Sequence, residues 1–196
     1  MRVRRFGDRI RFLRAGRATS EYVDCSFIGS KIHMGPGGYA RFVHCNFEDV
    51  LIDNWFCFAV ELVECTFSGR LRKAVFNGRV PPEMQDIAGR KENRFEGNDF
   101  SRAKLLDVAF RTGIDLSGQR LPSGSEYTFL SHASSAVRQA RISYNALDDP
   151  EVKKKVRGFL AAMEQEVANG QMQLLIRVND YPSASRSTIR RILQAD

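Results

Sequence analysis

Asp24, His44 and Glu64 fall 20 residues apart, the first spacing in the chain that could carry chemistry. A carboxylate, an imidazole and a carboxylate form a donor set for a divalent cation. A histidine bracketed by acids for charge balance is the plainer reading, and no resident metal is expected. One position further on, Cys25, Cys45 and Cys65 repeat the interval. Thiolate chemistry needs an electropositive, partly exposed setting, so a redox or metal role for this row depends on where the fold points it. No nucleophile elbow, Walker loop, dinucleotide fingerprint or zinc-ligand spacing occurs. The chain is therefore expected to be no enzyme, with no cofactor and no small-molecule substrate.

The elements that would position these residues must come from 196 residues, 43% hydrophobic and 27% charged, enough to bury a sizeable core without disulfides or metal. The richest apolar run, Trp55 to Val63, is broken by Glu61, so no membrane span is expected. The basic start leads into no apolar stretch, and no signal peptide is expected. Four cysteines then fit reduced thiols in a cytoplasmic protein. The net charge of +7 is uneven: +6 over residues 1–18, −1 over 19–122 and +2 over 123–196. The basic arm makes Arg4, Arg5, Arg9 and Arg11 candidates for phosphate contact. Its alternation through Arg9-Ile-Arg-Phe-Leu-Arg14 reads more simply as a solvated capping strand, and nucleic acid is not the expected partner.

A period of five runs through the middle of the chain. Bulky apolar residues fall at Tyr22, Phe27, Ile32, Phe42, Phe47, Ile52, Cys57, Leu62 and Phe67, mostly with a small residue two places earlier. After a four-residue step the series continues through Leu71 and Phe76, pauses over 79–92, and resumes at Phe95, Phe100, Leu105 and Phe110. Neither a helix nor an ordinary alternating strand has this period.

Units such as Cys25-Ser-Phe-Ile-Gly, Cys45-Asn-Phe-Glu-Asp and Cys65-Thr-Phe-Ser-Gly resemble the pentapeptide repeat family over roughly residues 20 to 122. The resemblance implies a mainly β fold: a right-handed quadrilateral parallel β-helix, a solenoid of about four to five coils, with 20 residues per coil. The apolar positions would point inward, so the Cys25 and Phe27 series become internal ladders. Outside, Glu21, Arg41, Glu61 and Arg94 would alternate in sign, and Asp24, His44 and Glu64 would share one outer edge.

Residues 1–18 then read as an N-terminal cap or arm, 19–122 as the β-helix with an inserted loop at 79–92, and 123–196 as an α-helical subdomain packed on it. In that last region Asp149 and Pro150 open a strong helix that Gly170 ends, with Val152, Val156, Phe159, Leu160, Met163 and Val167 as its apolar stripe. Weaker helices are expected over 133–146 and 187–193, and 171–178 is a helical extension or a strand.

Irregularities gather on the fourth side of the expected coil, where outward positions that include Pro36 and Ala109 form an apolar strip; Tyr39, Phe56, Phe58 and Val75 of that strip stand with Trp55 of the same side and with Pro81, Pro82, Met84 and Ile87 of the inserted loop. These are the candidate partner-binding residues, and the C-terminal helices, a second copy or another protein would cover them. The expected function is a protein-binding adaptor or scaffold. The family resemblance implies the alternative, binding to a type II DNA topoisomerase such as gyrase and protection from its poisons, hence antibiotic resistance or self-immunity. That activity rests on imitating DNA with a negative surface, which the −1 over residues 19–122 does not supply.

Overall fold

The computed structural model describes residues 19–36 and 38–193, together with the short strands Arg5–Phe6 and Arg9–Arg11. Two compact units divide the chain, Met1–Ser123 and Gly124–Asp196. The first is mainly parallel β-sheet and the second is largely helical.

In the first unit the strands are β1 (Arg5–Phe6), β2 (Arg9–Arg11), β3 (Ser20–Val23), β4 (Ser26–Ile28), β5 (Lys31–Pro36), β6 (Tyr39–Val43), β7 (Asn46–Cys57), β8 (Ala59–Val63) and β9 (Thr66–Asn77). A short helix, α1 (Pro82–Ala88), follows, and then β10 (Phe95–Glu96) and β11 (Asp99–Arg111). The chain pairs with itself at an offset of 20 residues: Phe42 lies beside Tyr22 and Leu62, and Phe47 beside Phe27 and Phe67. Past α1 the same partnership continues at a larger offset, Leu62 with Phe95 and Leu71 with Leu105. The inserted residues therefore interrupt the pairing without breaking its register.

This register makes the inward ladders. Phe27, Phe47, Phe67 and Phe100 stack ring on ring at 4.7, 4.7 and 4.6 Å, and none is more than 1% exposed. Stacking of identical rings adds to the burial term at every rung. The four-residue step from Phe67 to Leu71 appears as a register shift: β7 has one more residue than β9 between Phe47 and Val50. Gly69 sits against that bulge, and the Ser68 hydroxyl accepts a hydrogen bond from Asp49 N.

A second period-five rule concerns the backbone. Two residues after an inward apolar position the chain takes up positive φ, at Asp24, His44, Glu64 and Gly97 in one column, Gly29, Asp49 and Gly69 in another, and Asn54, Lys73 and Asp107 in a third. Glycine enters this region freely, and Asn and Asp tolerate it. His44, Glu64 and Lys73 do not fit that preference, and each accepts a conformation costing an ordinary residue about 1 kcal/mol, which the paired strands on either side impose.

In the second unit β12 (Tyr127–Leu130) pairs antiparallel with β13 (Leu174–Arg177). Helices α2 (Ala133–Asn145), α3 (Pro150–Ala168) and α4 (Ser183–Leu193) complete it. Asp149 caps α3 by accepting from the amides of Glu151 and Val152. Val156, Phe159 and Met163 join Val137, Ile176, Ile189 and Ile192 in one core, whereas Val152 and Val167 stay half-buried. Of residues 171–178, Leu174–Arg177 form a strand and not a helical extension, because Leu174 and Ile176 fill this core from an edge that pairs with β12.

Candidate functional site

The outer surface of the first unit is organised by columns of residues set side by side by parallel pairing, and its apolar column is continuous. Register places Pro36 beside Phe56, Phe56 beside Val75 and Val75 beside Ala109. Phe56, Val75 and Ala109 are each half-buried. Phe58 is half-buried too, and its ring lies nearly parallel to that of Phe56, with centroids 6.3 Å apart.

Two of the candidate partner-binding residues are core instead. Trp55 is 3% exposed, wedged among Phe42, Phe47, Phe67 and Phe76. Tyr39 is 6% exposed because the inserted segment folds back over it: Tyr39, Ala59 and Val80 form a small cluster that Met84, Ile87 and Ala88 cover. Met84 and Ile87 thus turn part of their apolar surface inside the unit. The segment 79–92 is no protruding loop. Arg90 fastens it, donating to the carbonyls of Ala59 at 2.8 Å and Ala88 at 3.2 Å and to the Asn93 side chain. Asn93 in turn donates to the carbonyls of Phe58 and Asn77. Burial pulls the Arg90 guanidinium below its ordinary range, with Glu61 opposing that shift.

Beside this segment lies an open cleft of about 580 Å³, lined by Phe58, Pro81, Pro82, Arg79, Lys91 and Glu92 among others. Pro82 is exposed and Pro81 half-buried, with Arg79 and Lys91 exposed at the rim. Of the residues singled out in the sequence, the fold therefore gathers Phe56, Phe58, Val75, Pro81 and Pro82 around one surface.

The Asp24, His44 and Glu64 column exists, and its side chains are arranged as two ion pairs and not as a converging ligand set. His44 Nδ1 faces Asp24 at 3.6 Å and Nε2 faces Glu64 at 3.2 Å. The carboxylates lie on opposite edges of the ring and cannot converge with one imidazole lone pair on a single ion. Among the described residues no group of three His, Cys, Asp or Glu side chains is placed to hold one.

The thiols are free and buried. Cys45 donates to Tyr22 O and Cys65 to Phe42 O, each reaching the neighbouring strand. Hydrogen bonding with Cys45 and then burial push the Cys65 thiol far up, and burial alone does so for Cys57. A water-soluble aromatic disulfide reagent is expected to find no reactive thiol in the folded protein and all four in urea. Rapid reaction of even one native thiol would place that cysteine outside the core.

The charge column also differs in one place from its expected order. Arg41 bridges Glu21 at 3.2 Å and Glu61 at 3.7 Å, but Arg94 turns its guanidinium to Glu96, and Arg90 of the inserted segment takes the remaining place beside Glu61.

Arg4 lies outside the described residues. Arg5 pairs with Ser26, while Arg9 and Arg11 pair with Lys31 and His33. Strand register carried from β5 through β7 and β9 to β11, across the bulge and the insertion, sets Lys31, Arg70 and Lys104 in one column, which a charge sum along the chain does not reveal. No protein-family model, curated protein or solved structure matches the chain.

Proposed function

We propose that the first unit is a right-handed four-sided β-helix of the pentapeptide repeat kind and acts as a non-enzymatic protein-binding scaffold. The 20-residue register and the positive-φ columns support the fold reading. The functional reading is carried by the half-buried Phe56 and Phe58 pair beside the cleft at Pro81 and Pro82. Side chains of this type, at the edge of a rigid sheet, provide a large apolar contact with little ordering cost. The occupant is an extended segment of another protein that places an apolar side chain against the two rings and a carboxylate near Arg79 and Lys91. No helix among the described residues is long and apolar enough to cross a membrane, and four free thiols are consistent with a reducing compartment. Imitation of DNA at a topoisomerase is the weaker reading, since exposed cations gather on this unit where a phosphate-like field would be required.

A displayed peptide library selected against the protein is expected to enrich apolar segments flanked by acidic residues. Phe56→Asp with Phe58→Asp should abolish that enrichment while the buried Trp55 emission is unchanged. Enrichment that survives the substitutions, or none with the parent chain, defeats the docking reading. Concentration-dependent self-association lost in the same variant would make a second copy the occupant.

A further inference from the structure

Two columns of outward side chains flank the inward ladder of Ile32, Ile52, Leu71 and Leu105. In the first, Lys31 lies beside Leu51, Leu51 beside Arg70 and Arg70 beside Lys104. In the second, His33, Asp53, Arg72 and Leu106 follow one another. Arg102 enters this face beside Ser68, and Lys73 stands at the corner where the face ends. Pairing of β2 with β5 adds Arg9 to the first column and Arg11 to the second.

Cations outnumber acids here. Lys31, Arg70, Arg72, Lys73, Arg102 and Lys104 are all exposed, against Asp53 and Asp107 on the same span, with Glu48 and Asp49 at the corner before it in β7. Arg72 is spoken for by Asp53 at 3.5 Å. Among the described residues Lys31, Arg70 and Lys104 have no ion-pair partner. Like charges directly opposite across paired strands are destabilising, and the column of Glu21, Arg41 and Glu61 in this same unit alternates as stability requires. Arg70 opposite Lys104 does the reverse, and a polyanion converts that repulsion into binding.

We propose that this face binds the phosphate backbone of double-stranded DNA without reading its sequence. Neighbouring rungs are ~4.8 Å apart, so Lys31 to Lys104 spans ~14 Å, which matches about four phosphates of one strand at 3.4 Å each along the duplex axis. The outward positions of the two columns offer no Phe, Tyr or Trp on which the bases of a single strand would stack. Among the described residues of the first unit no helix or ribbon projects from the face to reach base edges, so its contacts position a duplex rather than specify one. This inference rests on strand register and charge alone, and is separate from the docking of a protein at Phe56 and Phe58.

The test is fluorescence anisotropy of the full chain with a short random-sequence DNA duplex. Neutralising about four phosphates predicts a slope of about −3.6 in log affinity against log salt, a loss of about 150-fold between 50 and 200 mM. Arg70→Ala with Lys104→Ala should weaken binding at low salt and make the slope shallower by about 1.8. Phe56→Asp with Phe58→Asp should leave it unchanged, so the two sites fail independently. Lys31→Ala with Arg102→Ala provides a second pair on the same face should the first disturb the Trp55 emission. Binding that ignores salt, or that both pairs leave intact, overturns the proposal. Tighter binding to single-stranded DNA, to duplex RNA or to phosphatidylserine vesicles overturns it in favour of that ligand.

Discussion

Alanine in place of Phe67 is expected to lower the stability of the first unit by about 4 kcal/mol, within the range for deleting a buried phenyl ring. Phe67 is 1% exposed and is stacked on both faces, against Phe47 at 4.7 Å and Phe100 at 4.6 Å. Its removal leaves a void between two rings that parallel backbone pairing holds apart, so neither neighbour can move in to fill it. Trp55 is the chain's only tryptophan and is buried in this unit, so its emission followed through a urea titration reads the loss there without contribution from the second unit. Phe129→Ala, at a ring 44% exposed in the second unit, is the control and should leave the Trp55 transition in place. A loss below about 1 kcal/mol for Phe67→Ala would mean that the ring ladder does not form the core.

Gly69→Ala adds one methyl group and is expected to be nearly as damaging, above about 3 kcal/mol in the same titration. A Cβ at this position would stand 2.3 Å from Val50 O and 2.6 Å from Val50 N, and both are backbone atoms of the bulge. The φ of +90° is also unavailable to alanine without strain. Relief would require β7 and β9 to separate where their register shifts. Gly29→Ala is the discriminating companion: its φ is +60°, but nothing lies within 4 Å of the added carbon, so it should cost only the conformational part, about 1 kcal/mol. Equal costs at the two positions would show that strain and not contact governs Gly69.

The period of five was legible because it is local. An apolar residue at every fifth position, with 20-residue coincidences of Cys and Phe, leaves few pairings that bury them all, and the observed register is the one that does. The helix at Asp149 and Pro150 was legible for the same kind of reason, since a cap and a stripe lie within one segment. The positive-φ columns follow the period as well, and Gly, Asp or Asn two places after most inward residues was their available signal, with His44, Glu64 and Lys73 as exceptions.

Surface assignments depended on what folds over what, which no local pattern contains. Tyr39 reads as outward by its position in the repeat, yet Met84 and Ile87, more than forty residues later, bury it. Trp55 reads as a partner-binding candidate from its place on the same side, but the pleat turns it toward Phe47 and Phe67. The carboxylates flanking His44 share its column, but only coordinates show them on opposite edges of the ring.

Charge shows the division most clearly. A sum along residues 19–122 is near zero because it adds residues from every face of the unit, whereas an approaching partner meets one face at a time within a Debye length. The sequence alone determined the repeat, the inward ladders and the absence of known catalytic motifs, all consequences of residue type at fixed spacing. Only the tertiary structure decided that Phe58 borders a cleft, with Phe56 stacked against it, while Tyr39 is buried, and that Lys31, Arg70 and Lys104 share a face. Those outcomes depend on register after a bulge and an insertion, and on which distant segment returns to cover the sheet.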